Sequence, residues 1–122
     1  MNNIPISNKI PELDLAIKAA QEAGNTILKI YEKGFKTFTK TDNSPVTDAD
    51  LQSNKIIKEI LSVTKHSILS EEDVDDKNRL SNDMVWIIDP LDGTSDFIDK
   101  TGEFTVMIAL IENQKPILGV IA

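Results

Sequence analysis

The sequence contains no cysteine, which excludes disulfide bonds and thiol chemistry. It also lacks an excess of basic residues: the net charge of −7 argues against binding nucleic acid polymers through a basic face. No apolar run approaches the roughly 20 residues of a membrane span. The polar segment after Met1 lacks the apolar core of a secretory signal, so we expect a cytoplasmic protein without a membrane span.

The length of 122 residues and the hydrophobic content of 40% predict one globular domain over residues 1–122. The sequence shows no internal repeat and no low-complexity tract. Residues 116–122 have the pattern of an apolar strand that is followed by neither a turn nor a polar tail. We therefore expect these residues to form part of a longer domain.

Two stretches have the spacing of amphipathic helices. Apolar residues at helical spacing predict one long helix over 11–33, which Lys33 and Gly34 would end. A second helix is predicted to begin after the N-cap residue Thr47 and to run to about Val63. Its expected inward residues are Leu51, Ile57, Ile60 and Leu61.

The strand pattern lies mainly in the second half of the chain. Strands are predicted at 35–40, 67–69, 84–88, 104–111 and 117–121, with loops at 41–45 and 73–83 and a hairpin connection at 112–116. Because helices come first and a hairpin comes last, the pattern predicts an α+β fold with the helices packed on one face of a sheet.

Three acidic pairs lie at predicted element boundaries: Asp48 and Asp50, Glu71 and Glu72, and Asp89 and Asp92. Acidic residues favour helix N-termini in any protein, and spacing alone does not say whether Asp48 or Asp50 points inward. The second pair opens an acidic string typical of a solvated loop, in which we take Asp73 as a surface residue.

The third pair directly follows the apolar run 85–88, which has the pattern of a buried strand. Pro90 and Gly93 predict a tight turn between and after the two carboxylates. An ordinary turn followed by a helix cap is the plain alternative. Two carboxylates held close together, however, require a cation, a proton or contact with water.

The residues after this pair favour an anion. Thr94 and Ser95 would open a short helix, and the amide groups at a turn and a helix start suit a phosphate. Carboxylates beside such amides are typical of metal-dependent phosphoryl transfer. Trp86 and Phe97, which flank the segment, are expected in the core.

Three motifs resemble the inositol monophosphatase superfamily of magnesium-dependent, lithium-sensitive phosphomonoesterases. They are Trp-x-x-Asp-Pro-Leu-Asp-Gly-Thr-x-x-Phe at 86–97, Pro-Val-Thr-x-x-Asp at 45–50 and Ser-Glu-Glu at 70–72. The resemblance implies a layered helix and sheet sandwich. This chain would be its amino-terminal half, which binds metal and phosphate.

The resemblance implies specific roles for residues of these motifs. Catalytic roles fall to Asp50, Glu71 and Thr94. Metal ligands are Glu71, Asp89, Asp92 and the backbone carbonyl of Leu91, and phosphate is bound by Gly93, Thr94 and Ser95. Two or three Mg²⁺ ions are expected in the complete enzyme, which hydrolyses a phosphate monoester by in-line attack of water.

Segments 97–98, 102–111 and 115–120 resemble most the 3′(2′),5′-bisphosphate nucleotidase branch, which converts adenosine 3′,5′-bisphosphate to AMP and phosphate. The chain departs from that branch at Ser95, Asp96 and Met107. The alternative substrates are an inositol monophosphate and fructose 1,6-bisphosphate. The partner is in each case a small phosphorylated metabolite.

A non-catalytic remnant that only binds metal or phosphate is the alternative to an enzyme. Family members are about twice as long, and the further part normally supplies another Asp ligand. We therefore expect weak or no turnover by these 122 residues alone. Homodimers are common in the superfamily, so a homodimer is compatible with the resemblance.

Overall fold

A computed structural model describes residues 11–40, 45–73, 75, 77, 80, 82–99 and 104–122. Residues 41–44 of the first predicted loop and residues 102–103 lie outside this described part. Within it, no helix combines the length and the apolar character needed to cross a bilayer.

The described chain contains three α-helices and six strands. The helices are α1 (Pro11–Lys33), α2 (Asp48–Leu61) and α3 (Thr94–Ile98), and a 3₁₀ turn at Ser62–Thr64 follows α2. The strands are β1 (Thr37–Thr39), β2 (Pro45–Thr47), β3 (Ser67–Ser70), β4 (Met84–Asp92), β5 (Thr105–Glu112) and β6 (Lys115–Ile121).

The main sheet has the strand order β3-β4-β5-β6. β3 runs parallel to β4, whereas the other neighbours are antiparallel, and β1 and β2 form a separate antiparallel ribbon. Both long helices pack on one face of this sheet. The predicted α+β fold is therefore confirmed.

The core lies between the two long helices and the inner face of the sheet. Alternate strand residues point into it, namely Trp86, Ile88, Ile108 and Leu110. α1 contributes a face of small residues, Ala16, Ala19, Ala20 and Ala23, which lets it approach α2 closely. The expected burial of Trp86 and Phe97 is confirmed, since neither side chain is exposed.

Apart from strand ends that differ by one or two residues, the strands differ from the prediction in three places. β4 extends to Asp92, and its pairing with β5 is irregular between Asp89 and Asp92, because Pro90 has no N–H for the ladder. The chain therefore turns only at Gly93, which has a φ of 90°. Pro45, predicted as a loop residue, instead begins β2.

The third difference is the β5–β6 connection, which is a two-residue turn and not the predicted segment 112–116. Asn113 and Gln114 have positive φ angles of 50° and 69°. Two-residue turns with this backbone match the twist of antiparallel strands, so both strands pair up to the turn itself.

The inward face of α2 is more polar than predicted. Leu51 is 45% exposed, so its expected inward position is wrong. The buried residues of α2 are Ala49, Asp50, Ser53, Asn54, Ile57 and Leu61. The polar members face the strand ends and turns that carry the acidic motifs, where hydrogen-bond partners are available.

Candidate active site

Parallel pairing of β3 with β4 brings two of the acidic motifs to one edge of the sheet. Ser70 lies opposite Ile88, so Glu71 and Asp89 follow at the same edge. The amide N–H of Glu71 donates to the carbonyl oxygen of Ile88 at 3.1 Å. The spatial proximity of these acids therefore follows from strand topology.

The irregular segment at the end of β4 is held in place by a hydrogen bond from α2. Pro90 and Leu91 are both buried, whereas Asp92 is exposed. The hydroxyl of Ser53 donates to the carbonyl oxygen of Pro90 at 2.7 Å. This bond anchors the bulge between the two aspartates.

Phe97 anchors the short helix α3 that follows. Its ring lies 4.7 Å from the ring of Phe35, 5.1 Å from that of Phe104 and 5.2 Å from that of Tyr31, measured between centroids. Such aromatic contacts stabilise a short helix that could not form alone. They hold the first turn of α3 beside the carboxylates.

The N-terminus of α2 orients Asp50. Thr47 caps the helix, and its amide N–H donates to Oδ1 of Asp50 at 2.7 Å in a capping box. The other oxygen, Oδ2, accepts a hydrogen bond from the hydroxyl of Thr94 at 3.0 Å. Asp48 is half-buried and accepts a bond from the amide of Lys36, so Asp50 is the inward acid of the pair.

Burial raises the pKa of the Asp50 carboxyl, although hydrogen bonds from Thr47 and Thr94 oppose the shift. The Thr94 hydroxyl also lies 3.3 Å from the carbonyl oxygen of Leu91. The Thr94 hydroxyl therefore links the Asp50 carboxylate to the backbone at Leu91.

Most of the predicted site residues surround one cavity of about 210 Å³. Its lining residues are Lys40, Glu71, Glu72, Asp89, Leu91, Asp92, Gly93, Thr94 and Ser95. Asp50 contacts this cavity only through Thr94. A larger concavity of about 520 Å³ lies on the outer face of the sheet, at Leu69, Val85 and Ile87, and Asp83 is the only acid among its described lining residues.

Glu71 and Glu72 have different surroundings although they are adjacent. The Glu71 side chain is 60% exposed, whereas that of Glu72 is 3% exposed and lies 2.9 Å from the ammonium nitrogen of Lys40. Burial raises the pKa of Glu72, and the bond from Lys40 opposes this shift. Lys40 therefore pairs closely with Glu72, whereas its contact with the exposed Glu71 is longer, at 4.0 Å.

Asp89 carries the strongest electrostatic conflict of the site. Burial, together with the negative charges of Glu71 and Asp92, raises its pKa to about 6. Its atom Oδ1 is buried and has no hydrogen-bond partner among the residues that the structure describes. A cation beside Asp89 would remove both unfavourable features.

The donor atoms around Asp89 fit a hard divalent cation. In the described ranges, no three acidic or histidine side chains are already arranged as ligands of one ion, and Glu71 points partly to solvent. Glu71, Asp89, Leu91 and Asp92 nevertheless all line one cavity. Carboxylate and carbonyl oxygens are the ligands that Mg²⁺ prefers.

Four polar residues of this region were assigned no role in the sequence analysis. Lys40 and Glu72 form the ion pair at the cavity, and Ser53 and Asn54 hold neighbouring segments from α2. The signal for the last two was their spacing from Asp50, since residues three and four apart share a helix face. Asp73, predicted to lie on the surface, is half-buried and accepts a bond from Asn54 at 3.0 Å.

The chain is similar in sequence and in structure to known proteins. Residues 9–122 match the profile of the inositol monophosphatase family. A 3′(2′),5′-bisphosphate nucleotidase CysQ from Buchnera aphidicola is 45% identical over 114 residues, which cover 89% of this chain and 43% of that protein. The chain spans about half the length of the curated relatives that it matches.

Solved structures show the same architecture. CysQ from Bacteroides thetaiotaomicron, a bacterial member of the inositol monophosphatase family, matches with a TM-score of 0.77 and 47% identity, covering 91% of this chain and 41% of that one. An IMPase/NADP phosphatase complexed with Mg²⁺ and phosphate matches with a TM-score of 0.78 and 22% identity, covering 93% and 44%. The latter likeness concerns the fold alone.

Proposed function

This chain belongs to the inositol monophosphatase family, and we propose that it carries the metal and phosphate site of a Mg²⁺-dependent phosphomonoesterase. The proposed substrate is adenosine 3′,5′-bisphosphate, which would yield AMP and phosphate. The observation that carries the proposal is Asp89: its buried Oδ1 has no partner among the described residues, and it lines one cavity together with Glu71, Asp92 and the first turn of α3.

Four groups would hold the metal: the carboxylates of Glu71, Asp89 and Asp92 and the backbone carbonyl of Leu91. Bound Mg²⁺ would neutralise these carboxylates, make a water more acidic and stabilise negative charge on the phosphoryl group. The unfavourable proximity of Asp89 to Asp92 and Glu71 in the metal-free chain supports this assignment.

Asp50 and Thr94 would orient the attacking water and take its proton. Oγ1 of Thr94 can accept a proton from a water in the cavity while its own proton passes to Oδ2 of Asp50, 3.0 Å away. Burial raises the pKa of Asp50, which makes its carboxylate a better proton acceptor. The capping box keeps Asp50 in place during this transfer.

The amide groups of Gly93, Thr94 and Ser95 would bind the phosphate oxygens, because the first turn of a helix has N–H groups without intrahelical acceptors. Lys40 borders the same cavity and adds one positive charge to a strongly acidic lining. The preference for the nucleotide substrate rests on the relatives: two CysQ proteins are 45% and 47% identical to this chain.

Phosphate release from adenosine 3′,5′-bisphosphate, measured on the product of the complete reading frame with and without Mg²⁺, tests the proposal. We expect metal-dependent release that exceeds the release from inositol monophosphate and fructose 1,6-bisphosphate. Asp89→Asn should lower this release by at least about 100-fold. Mutation of residues that only hydrogen-bond to a metal ligand already lowers metal affinity or activity by roughly 10- to 100-fold. Asp83→Asn, at an exposed aspartate remote from the cavity, is the matched control.

Faster release from either competing substrate would reassign the substrate and leave the reaction type intact. Unchanged turnover in Asp89→Asn would contradict the proposed site. Calorimetric titration of the 122-residue chain with Mg²⁺ and inorganic phosphate, beside the same assay, separates a catalytic chain from a chain that only binds. Binding without turnover would favour the second.

A further inference from the structure

α2 presents a row of polar side chains to the segments that carry the proposed site. Asp50 accepts a bond from Thr94, Ser53 donates to the carbonyl of Pro90, and Asn54 contacts the turn after β3. The three positions share one face of the helix because they are three and four residues apart. One rigid element therefore touches all three segments.

Asn54 is the member of this row that contacts the turn carrying Glu71. Its side chain is buried, with 8% of the residue exposed. Its Oδ1 accepts a bond from the hydroxyl of Ser70 at 2.5 Å, and its Nδ2 donates to Oδ1 of Asp73 at 3.0 Å. Asn54 thus holds the residue before Glu71 and a residue shortly after it.

The turn itself, Ser70–Asp73, is closed by internal bonds. The amide N–H of Glu72 donates to the hydroxyl of Ser70 at 3.2 Å, and the amide N–H of Asp73 donates to the carbonyl of Ser70 at 3.2 Å. The second oxygen of Asp73 lies 2.8 Å from the ammonium of Lys58, also on α2. The turn is thus connected to α2 by the two bonds of Asn54 and by the ion pair of Lys58.

We propose that Asn54 is a positioning residue that fixes the Ser70–Asp73 turn so that Glu71 borders the same cavity as Asp89. The inference rests on the proposed function, because it assigns Asn54 a role in forming that metal site. An amide suits the role, since it supplies a donor and an acceptor without adding a charge. A buried amide is also unfavourable unless both groups are bonded, which ties its own orientation to the turn.

Asn54→Ala removes both bonds and tests the inference. We expect the affinity of the 122-residue chain for Mn²⁺, used as a paramagnetic substitute for Mg²⁺, to fall by about 10-fold or more. We expect amide hydrogen exchange at Glu72 and Asp73, followed by NMR without metal, to accelerate by about 10-fold. Ser62→Ala is the control, because it removes only a local bond to the carbonyl of Glu59 and should alter neither.

A double exchange separates positioning from general destabilisation. Asn54→Asp combined with Asp73→Asn keeps the net charge and restores one amide facing one carboxylate. It also places the carboxylate four residues before Lys58 on α2, where an ion pair can form again. We expect Mn²⁺ affinity and exchange rates to return to within about 3-fold of the parent chain.

The outcomes distinguish the two proposals. Unchanged exchange at the turn in Asn54→Ala overturns the positioning role, and so does lowered stability with unchanged Mn²⁺ affinity. If the parent chain binds no Mn²⁺ or Mg²⁺, the proposed function fails for this chain. Exchange rates that rise in Asn54→Ala and recover in the double variant would then still support the positioning role.

Discussion

At the scale of single residues, Asp89 combines two features that disfavour its charged form in the metal-free chain. Its carboxylate is partly buried, and the carboxylates of Asp92 and Glu71 lie close to it. Both features destabilise the folded state at neutral pH, because Asp89 is then charged. A residue with such an unfavourable charge is typical of a functional site.

Asp89→Asn should therefore stabilise the metal-free chain and abolish its stabilisation by metal. We expect the free energy of unfolding at pH 7 with EDTA to rise by about 1–2 kcal/mol, since the charged form of Asp89 is disfavoured. With Mg²⁺ at 100 times its dissociation constant, the parent chain should gain about 2.7 kcal/mol and the variant almost nothing. Urea denaturation of both proteins under both conditions measures the difference.

Asp83→Asn is the control, because this aspartate is exposed and borders a different concavity. A metal-free Asp89→Asn chain that is less stable than the parent would contradict the electrostatic account. An equal response of both chains to Mg²⁺ would contradict the role of Asp89 as a ligand.

The pH dependence of stability follows from the same residue. Asp89 has a pKa of about 6 in the folded chain and 3.8 as its ordinary value, so the folded state binds more protons between these values. Its contribution to stability is thus fully present below pH 4 and is lost as the pH rises through 6. Asp50 and Glu72, whose pKa values are also raised by burial, contribute with the same sign.

The measurement is the free energy of unfolding from pH 4 to 7, without metal, for the parent chain and Asp89→Asn. We expect the two curves to lie together near pH 4 and to diverge by about 1–2 kcal/mol near pH 7, with the variant more stable. A constant offset across this range would show that the substitution acts through packing and not through titration.

At the scale of elements, two turns depend on residues with positive φ angles. Gly93 has a positive φ and lets α3 start beside the carboxylates, whereas Asn113 and Gln114 adopt positive φ in the β5–β6 connection. Asn tolerates this left-handed backbone better than Gln does. The hairpin therefore contains one residue, Gln114, in a conformation that it tolerates poorly.

Gln114→Gly should stabilise the chain by about 0.5–1 kcal/mol. Glycine removes the cost of a left-handed residue, which is about 1–2 kcal/mol, and part of this gain is offset by the greater freedom of the unfolded chain. Asn113→Gly is the matched comparison and should change stability by less, because Asn already tolerates the conformation. Thermal and urea unfolding of the three proteins measure both effects. A loss of stability in Gln114→Gly would mean that the Gln side chain makes a contact that outweighs the strain.

The elements also show which parts of the fold and the site the sequence could predict. Periodic segments such as α1, and a strong cap such as Thr47, are local signals, so their positions were predicted correctly. The register at the bulge after Asp89 depends on pairing with β5, which a local pattern does not contain. The burial of Asn54 likewise depends on Ser70 and Asp73 being brought to it by the parallel strands.

At the scale of the whole molecule, the two faces of the sheet differ in how far they are covered by other elements. The inner face is covered by α1 and α2 and contains the core. The outer face exposes large apolar side chains, and Ile87, Met107 and Ile121 border one shallow concavity of about 150 Å³. Grouped apolar side chains of this kind differ from the isolated ones that any soluble protein exposes.

This outer face should make the 122-residue chain bind hydrophobic dyes and associate with itself. Ile121→Lys places a charge in the grouped apolar surface and on β6, an edge strand of the sheet, so it should weaken association through either the face or the edge. Val63→Lys is the matched control: Val63 is 67% exposed and Ile121 is 69% exposed, but Val63 lies in the 3₁₀ turn after α2. We expect light scattering at increasing concentration, and the fluorescence of an added anilinonaphthalene dye, to fall in Ile121→Lys and to stay unchanged in Val63→Lys. Equal decreases in both variants would show that added positive charge on an acidic chain, and not the sheet face, controls its association.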